Sequence, residues 1–227
     1  MSRASGGPAG TSLRLFHYWR SSSSYRVRFG LFYKGLHPAL VHVNLLDDSS
    51  DQPEHKARNP MGYVPVLEFM DTPERAGPKR YIAESIAILE WAEETQAGPL
   101  LLPKDPLLRA RCRQLVQIVN SGTQPLVNLT AQLRHSSDPA EQKRWSQFWI
   151  RKGMEAYEAL ARETAGRFTI GDELTMADIC LVPHCYTAVR NEVPVEDYPT
   201  VARINAAALE TPAARASHPD HFKPPAP

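Results

Sequence analysis

Four consecutive hydroxyls, Ser21-Ser22-Ser23-Ser24, stand between Arg20 and Tyr25-Arg26 and form the densest chemical signal in the chain. They separate a strand-like stretch, Leu13 to His17, from a helical pattern in which Val27 and Leu31 lie four apart. A helix that begins there presents unpaired N–H groups and the positive end of its dipole. A thiolate held at such a helix end is stabilised, and thiol pKa values there fall from about 8.5 to roughly 3.5–7.5. A serine hydroxyl adds one more hydrogen bond to the sulfur. The same serines would also serve as plain helix caps, a position for which the residue type is strongly preferred.

Two further pairs bear on binding. Pro65 lacks an N–H and belongs at the start or edge of a strand. If the Val64–Pro65 bond is cis, Val64 turns its N–H and C=O outward, where they can pair with an extended peptide ligand. If it is trans, the pair is an ordinary strand start. Glu84-Ser85 opens a helix directly after a strand, so the Ser85 hydroxyl and N–H face the end of the sheet. That arrangement grips a carboxylate or simply caps the helix.

The elements that must position these residues fall into two groups. Strand patterns cover residues 13–17, 40–45 and 80–83, and the turn Asn59-Pro60-Met61-Gly62-Tyr63 runs through Val64-Pro65 into another at Val66-Leu67. One helix runs from the serine cluster to Gly35, and a second covers 84–94. This β-α-β then β-β-α order makes an α/β unit over residues 12–95. Residues 96–106 hold two proline breaks and read as a linker. Beyond it the pattern is all helical within 107–217, with helices expected over 107–134, 139–164, 176–189 and 199–209. Asp138-Pro139 supplies a cap and a first-turn proline, and Thr175 with Asp178 forms a capping-box variant. Residues 1–11 and the stretch from Ser217 to Pro227 read as disordered tails.

Composition excludes several partners. Of 227 residues, 26 are Lys or Arg and 25 are Asp or Glu, so the net charge of +1 offers no basic surplus for nucleic acid. No apolar run reaches the roughly 18 residues of a membrane span. Residues 1–11 lack the apolar core of a secretory signal. Cys112, Cys180 and Cys185 are odd in number without metal-like spacing, and read as reduced thiols of a cytoplasmic protein. His37, His42 and His55 lack a helical ligand pair and read as solvent-facing residues, with no metal expected. Trp145 and Trp149 read as packing residues, and Arg109, Arg111 and Arg113 as a solvated or dimer-facing helix side.

Taken in order, these signals resemble the zeta class of glutathione transferases, the maleylacetoacetate isomerases. The resemblance rests on Tyr18-Trp19-Arg20-Ser21-Ser22 with Arg26-Val27-Arg28, on Asn59-Pro60-Met61 with Val64-Pro65, and on Gln124-Pro125-Leu126 with Asn128-Leu129. It continues through Gly171-Asp172-Glu173, Thr175-Met176-Ala177-Asp178 and Leu181-Val182-Pro183, and spans about residues 13–218. It implies a thioredoxin-like N-terminal domain followed by an all-helical C-terminal domain, glutathione as cofactor, and a homodimer. By the same resemblance Ser21 would hydrogen-bond the glutathione sulfur, with Ser22 and Ser23 beside it and Ser24, Tyr25 and Arg26 lining the helix start. Gln52 would meet the glycine end, Val64 and Pro65 the cysteinyl unit, and Glu84 and Ser85 the γ-glutamyl end. Gln124 and Asn128 would reach in from the helical domain, and Arg190 would meet a substrate carboxylate.

The implied reaction is glutathione-dependent cis–trans isomerisation of maleylacetoacetate or a related maleyl diacid. A transferase or dehalogenase acting on α-halo acids would use the same binding residues, and a third reading is a fold relative that binds without turnover. One position departs from the class, since Ser23 stands where relatives usually have a cysteine. A hydroxyl is a far weaker nucleophile than a thiol at neutral pH.

Overall fold

The computed structural model describes residues 12–47, 49–71, 77 and 80–225, so the tail reading for 1–11 lies outside the described residues. Alternation of apolar residues builds β1 (Leu13–His17), with Leu13 and Leu15 facing one layer and Phe16 the other. The strand is central in a four-stranded sheet of order β2-β1-β3-β4. β2 (Ala39–His42) pairs with it in parallel and β3 (Val66–Phe69) antiparallel, and β4 (Tyr81–Ala83) closes the edge antiparallel to β3.

The parallel crossover is carried by α1 (Ser22–Tyr33), which stops where Gly35 takes a φ of 76°, a conformation open to glycine without cost. Val27 and Leu31 of α1 and Ile88 and Ala92 of α3 (Ser85–Thr95) pack on Leu13, Leu15 and Leu67 of the sheet. On the other face lie Phe16, Val43, Val64 and Val66. There the short helix α2 (Pro53–Arg58) sets its Arg58 guanidinium 4.2 Å from the centre of the Phe16 ring.

The second half is α4 (Pro106–Asn120), α5 (Leu129–His135), α6 (Pro139–Ala161), α7 (Met176–Arg190), α8 (Pro199–Leu209) and α9 (Pro212–Ser217). The expected single helix over 107–134 is instead three pieces, with a 3-10 turn at Gln124–Val127 between α4 and α5. Pro125 has no N–H to continue the helical ladder. Trp145 Nε1 ties this turn down by donating to the Leu126 carbonyl at 2.6 Å. The two expected caps form: Asp138 accepts from Ala140 N–H at 2.9 Å, and Asp178 accepts from Thr175 N–H at 2.8 Å.

Residues 96–106 are not a loose linker. Leu101 and Leu102 are buried, and the Leu101 N–H and C=O are bonded to the Glu93 carboxylate and the Met176 N–H, each at 2.7 Å. Tyr25, Phe29 and Leu89 share one apolar cluster with α4, α6 and α7, so the two halves are welded through their cores. Arg113, Arg111 and Arg109 pair within the chain, with Glu90, Glu163 and Glu93.

The C-terminal stretch also departs from expectation. It forms a 3-10 turn at Pro219–Phe222, and Phe222 lies 4.6 Å over the Arg28 guanidinium. Arg28 is fully buried, and a buried cation needs partners. It donates to the carbonyls of Ser217 and Trp19 and to His17 Nδ1, which draws the tail onto the N-terminal half.

Candidate functional site

The Ser21 backbone is extended, with φ −67° and ψ 124°, and its Oγ accepts the Ser24 N–H at 3.2 Å. Ser21 is therefore the cap of α1. One lone pair is used on the helix, while its hydroxyl proton stays available. The amides of Ser22 and Ser23, in the first turn, have no intrahelical acceptor. Behind them Ser24 is buried, and its Oγ accepts the Tyr18 N–H at 3.3 Å, which ties the loop before Ser21 to the helix.

The Val64–Pro65 bond is cis. Neither the N–H nor the C=O of Val64 has a partner among the described residues, although Val64 is buried. An unpaired backbone pair at a buried position is what an extended ligand strand satisfies. The turn before it is held from below, where the Tyr63 carbonyl accepts from Asn59 Nδ2 at 3.0 Å and from His55 Nε2 at 3.1 Å. His55 is thus buried, not solvent-facing as expected, and burial pushes its pKa down, so it stays neutral. Asn59 also accepts the Met61 and Gly62 N–H groups, through Oδ1 and its carbonyl.

Glu84 has φ 67°, a left-handed conformation that costs a side chain about 1–3 kcal/mol unless its surroundings impose it. It leads into α3, so Ser85 stands at a helix N-terminus with its N–H free of intrahelical bonds. The helix start, the cis turn and Glu84-Ser85 open onto one cavity of about 670 Å³.

Eight of the expected residues line this cavity: Ser21, Ser23, Val64, Pro65, Glu84, Ser85, Gln124 and Asn128. Gln124 Nε2 donates to Asn128 Oδ1, so the helical domain presents the two amides as a unit. Six others stand elsewhere. Tyr25 is part of the inter-domain core, with its ring against Tyr186 and His218, and is not a wall of the cavity. Ser24 serves the loop, Ser22 is half-buried beside the cavity, and Arg26 lies behind Ser85. Gln52 is exposed at the start of α2, one residue past the lining Ser50 and Asp51. Arg190 ends α7, with its guanidinium 5.7 Å from the Tyr186 ring, and burial and the nearby charge of Arg20 lower its pKa.

Several lining residues carry no signal legible in the chain. Asn120 is the last residue of α4, and Leu129 and Leu133 of α5 form an apolar wall with Leu45. Leu129 and Leu133 are brought in by the break between α4 and α5, whereas Asn120 lies ahead of it at the end of α4. Among the described residues, no group of three or more His, Cys, Asp or Glu side chains could hold a metal ion. The three cysteines are unpaired and buried, and burial pushes the Cys112 and Cys180 thiols up to about 12 and about 11. None of them supplies a thiolate near neutral pH.

A thioredoxin-like sheet welded to a helical domain, with the site between them, defines this chain as a glutathione transferase. The family model described as Glutathione S-transferase, N-terminal domain, matches residues 20–95. The maleylacetoacetate isomerase of Rattus norvegicus is 40% identical over 207 residues, covering 90% of this chain and 91% of its own. A crystal structure of maleylacetoacetate isomerase from Anaeromyxobacter dehalogenans with bound GSH is 44% identical, with a TM-score of 0.83 over 95% of this chain and 98% of that one. The same protein with bound dicarboxyethyl glutathione and citrate is similar at 43% identity and a TM-score of 0.83, over the same shares of the two chains. The chain belongs to the zeta-class, maleylacetoacetate isomerase family. Among the described residues no helix is long and apolar enough to cross a membrane.

Proposed function

We infer that this protein is a glutathione-dependent cis–trans isomerase acting on maleylacetoacetate or a related maleyl diacid. The observation that carries the reading is the convergence of three ligand-binding features on one cavity: a helix start with a free hydroxyl, an unpaired Val64 backbone, and Ser85 at a second helix start. Together they match the thiol, the cysteinyl backbone and the γ-glutamyl carboxylate of an extended tripeptide. When bound, glutathione supplies the nucleophilic sulfur, and no side chain of the site needs to.

The Ser21 hydroxyl and the first-turn amides hold the sulfur as thiolate. Sulfur adds to one carbon of the conjugated cis double bond, and the electron pair of that bond moves onto the adjacent carbonyl oxygen as an enolate. What was a double bond is now single and rotates. The enolate then collapses, the carbon–sulfur bond breaks, and the trans alkene and the thiolate are restored. No proton or electron is gained or lost overall. The dicarboxyethyl glutathione bound to the Anaeromyxobacter dehalogenans protein is a thioether of the kind such an addition makes. Arg190 stands outside the cavity lining with the charge of Arg20 beside it, and would meet a carboxylate of a diacid that extends past Ser21, the anion relieving the repulsion between the two guanidinium groups.

The reading carries with it a homodimer working in the cytoplasm, a compartment that suits three buried, unpaired thiols. Turnover of maleylacetoacetate, followed by NMR of its alkene protons, tests the reaction. Isomerisation is expected only when glutathione is present. Equal rates without it, or no heat on calorimetric titration with millimolar glutathione, refute the reading.

A further inference from the structure

Arg26 carries a charge that no carboxylate among the described residues neutralises. It is fully buried in the first half of α1, where α3, α4 and α7 converge. Nη1 donates to Ser85 Oγ at 2.9 Å and to Asn120 Oδ1 at 2.6 Å. Nε and Nη2 are buried without a partner, and among the described residues no carboxylate pairs with the guanidinium. Two titratable groups beside it are neutral near pH 7, since burial and Arg26 hold His184 at about 4, and burial pushes Cys180 up to about 11. The neighbouring buried Arg28 differs, because all three of its nitrogens are bonded. A buried ion without a counter-charge is costly, so the environment of Arg26 is built for an anion.

Two neutral groups set the direction in which that charge acts. The Ser85 oxygen accepts from Arg26, which leaves the Ser85 proton to donate into the cavity. The Asn120 carbonyl oxygen also accepts from Arg26, which turns its NH2 group away; one proton lies 3.5 Å from Gln117 Oε1 by its nitrogen, and the other is left for the cavity. Both residues line the cavity wall. Hydrogen bonds in series polarise one another, so a cation behind Ser85 and Asn120 makes both stronger donors.

We propose that Arg26 is the counter-ion for the α-carboxylate of the γ-glutamyl unit of glutathione, acting through Ser85 and Asn120 and not by direct contact. The proposal rests on the glutathione reading above and makes Arg26 a positioning residue.

The test is calorimetric titration with two ligands, glutathione and γ-aminobutyryl-cysteinyl-glycine, which lacks only that carboxylate. Arg26→Gln should weaken glutathione about ten- to hundredfold, the size of a lost charge-assisted hydrogen bond, and leave the analogue unchanged. Arg26→Lys, which keeps the charge, should recover most of the loss. Equal weakening of both ligands, or undiminished glutathione affinity, overturns the proposal. Asn120→Asp gives the test a second arm that keeps Arg26 in place. An internal carboxylate should raise the melting temperature of the ligand-free protein and weaken glutathione at least about tenfold. If neither change occurs the proposal fails, whether or not Arg26→Gln folds. Wild type that binds neither ligand overturns the glutathione reading itself, whereas wild type that binds both equally leaves glutathione binding standing and overturns the carboxylate roles of Arg26 and Ser85.

Discussion

Replacing Ser21 probes two roles, because its oxygen and its proton do different work. The oxygen accepts the Ser24 N–H at 3.2 Å and caps α1, while the proton is left for the sulfur. Ser21→Ala removes both. Losing the cap costs about 1 kcal/mol, which in a chain of this size lowers the melting temperature by about 2–4 °C. Losing a hydrogen bond to a charged acceptor costs about 1.5–3 kcal/mol. That corresponds to about a ten- to hundredfold fall in turnover and to a bound thiol that titrates about one to two pH units higher. Ser21→Gly separates the two roles. Glycine caps almost as well as serine, at a cost of a few tenths of a kcal/mol, but it has no hydroxyl. It should melt close to wild type and turn over as slowly as Ser21→Ala. Ser21→Asp keeps a capping oxygen and places a negative charge against the sulfur, so it should fold well and hold the least thiolate. The assay is ultraviolet absorbance of the bound thiolate against pH, alongside melting curves and isomerase turnover. Wild-type titration and turnover in Ser21→Gly would refute the mechanism.

Three further outcomes follow from the same structure. Ser23→Cys puts a thiol on the cavity wall, and turnover should not change if the glutathione sulfur alone does the chemistry; a faster variant would show that a second thiol takes part. Burial pushes the His17 and His184 pKa values down to about 3 and about 4, with Arg28 adding to the effect on the first and Arg26 on the second. Because an unfolded histidine titrates near 6.5, the unfolded chain binds more protons as pH falls below that value. Stability is therefore full above about pH 6.5 and declines towards about pH 4, by up to about 1.4 kcal/mol per pH unit for each histidine. Melting curves between about pH 7.5 and about pH 5 measure the slope, and His17→Gln should reduce it by the share of one histidine; an unchanged slope refutes the assignment. Finally, a Cβ at Gly153 would lie 2.2 Å from Thr123 Oγ1, next to the turn that carries Gln124. Gly153→Ala should cost about 1–3 kcal/mol by overpacking and raise the KM for substrate, despite the better helix propensity of alanine; a raised melting temperature would contradict the packing.

Much of the fold was legible because it rests on short-range rules. Alternation at Leu13 to His17, the serine cap, Gly35 after α1, Asp138 before Pro139 and Thr175 with Asp178 each need only a few neighbouring residues, and each formed as read. Glu84-Ser85 and Val64-Pro65 were legible for the same reason, since a strand end followed by a helix start or a proline leaves few backbone choices. The break within 107–134 was missed because helical periodicity persists across Pro125, and only α5 folding back on α6 shows where the ladder stops.

The chain by itself determined which groups could meet a thiol, a backbone and a carboxylate, because those capacities belong to residue type and local conformation. Only the tertiary structure decided which of them meet. It set Tyr25 in the core, buried His55 beneath the cis turn, brought Asn120 to the cavity, and folded the tail onto Arg28. Arg26 reaches Ser85 across 59 residues and Asn120 across 94, and Arg28 reaches Ser217 across 189. At such separations local propensity carries no information. The partner of a buried charge is chosen by which elements pack together, because only there is the water gone that would otherwise have satisfied it.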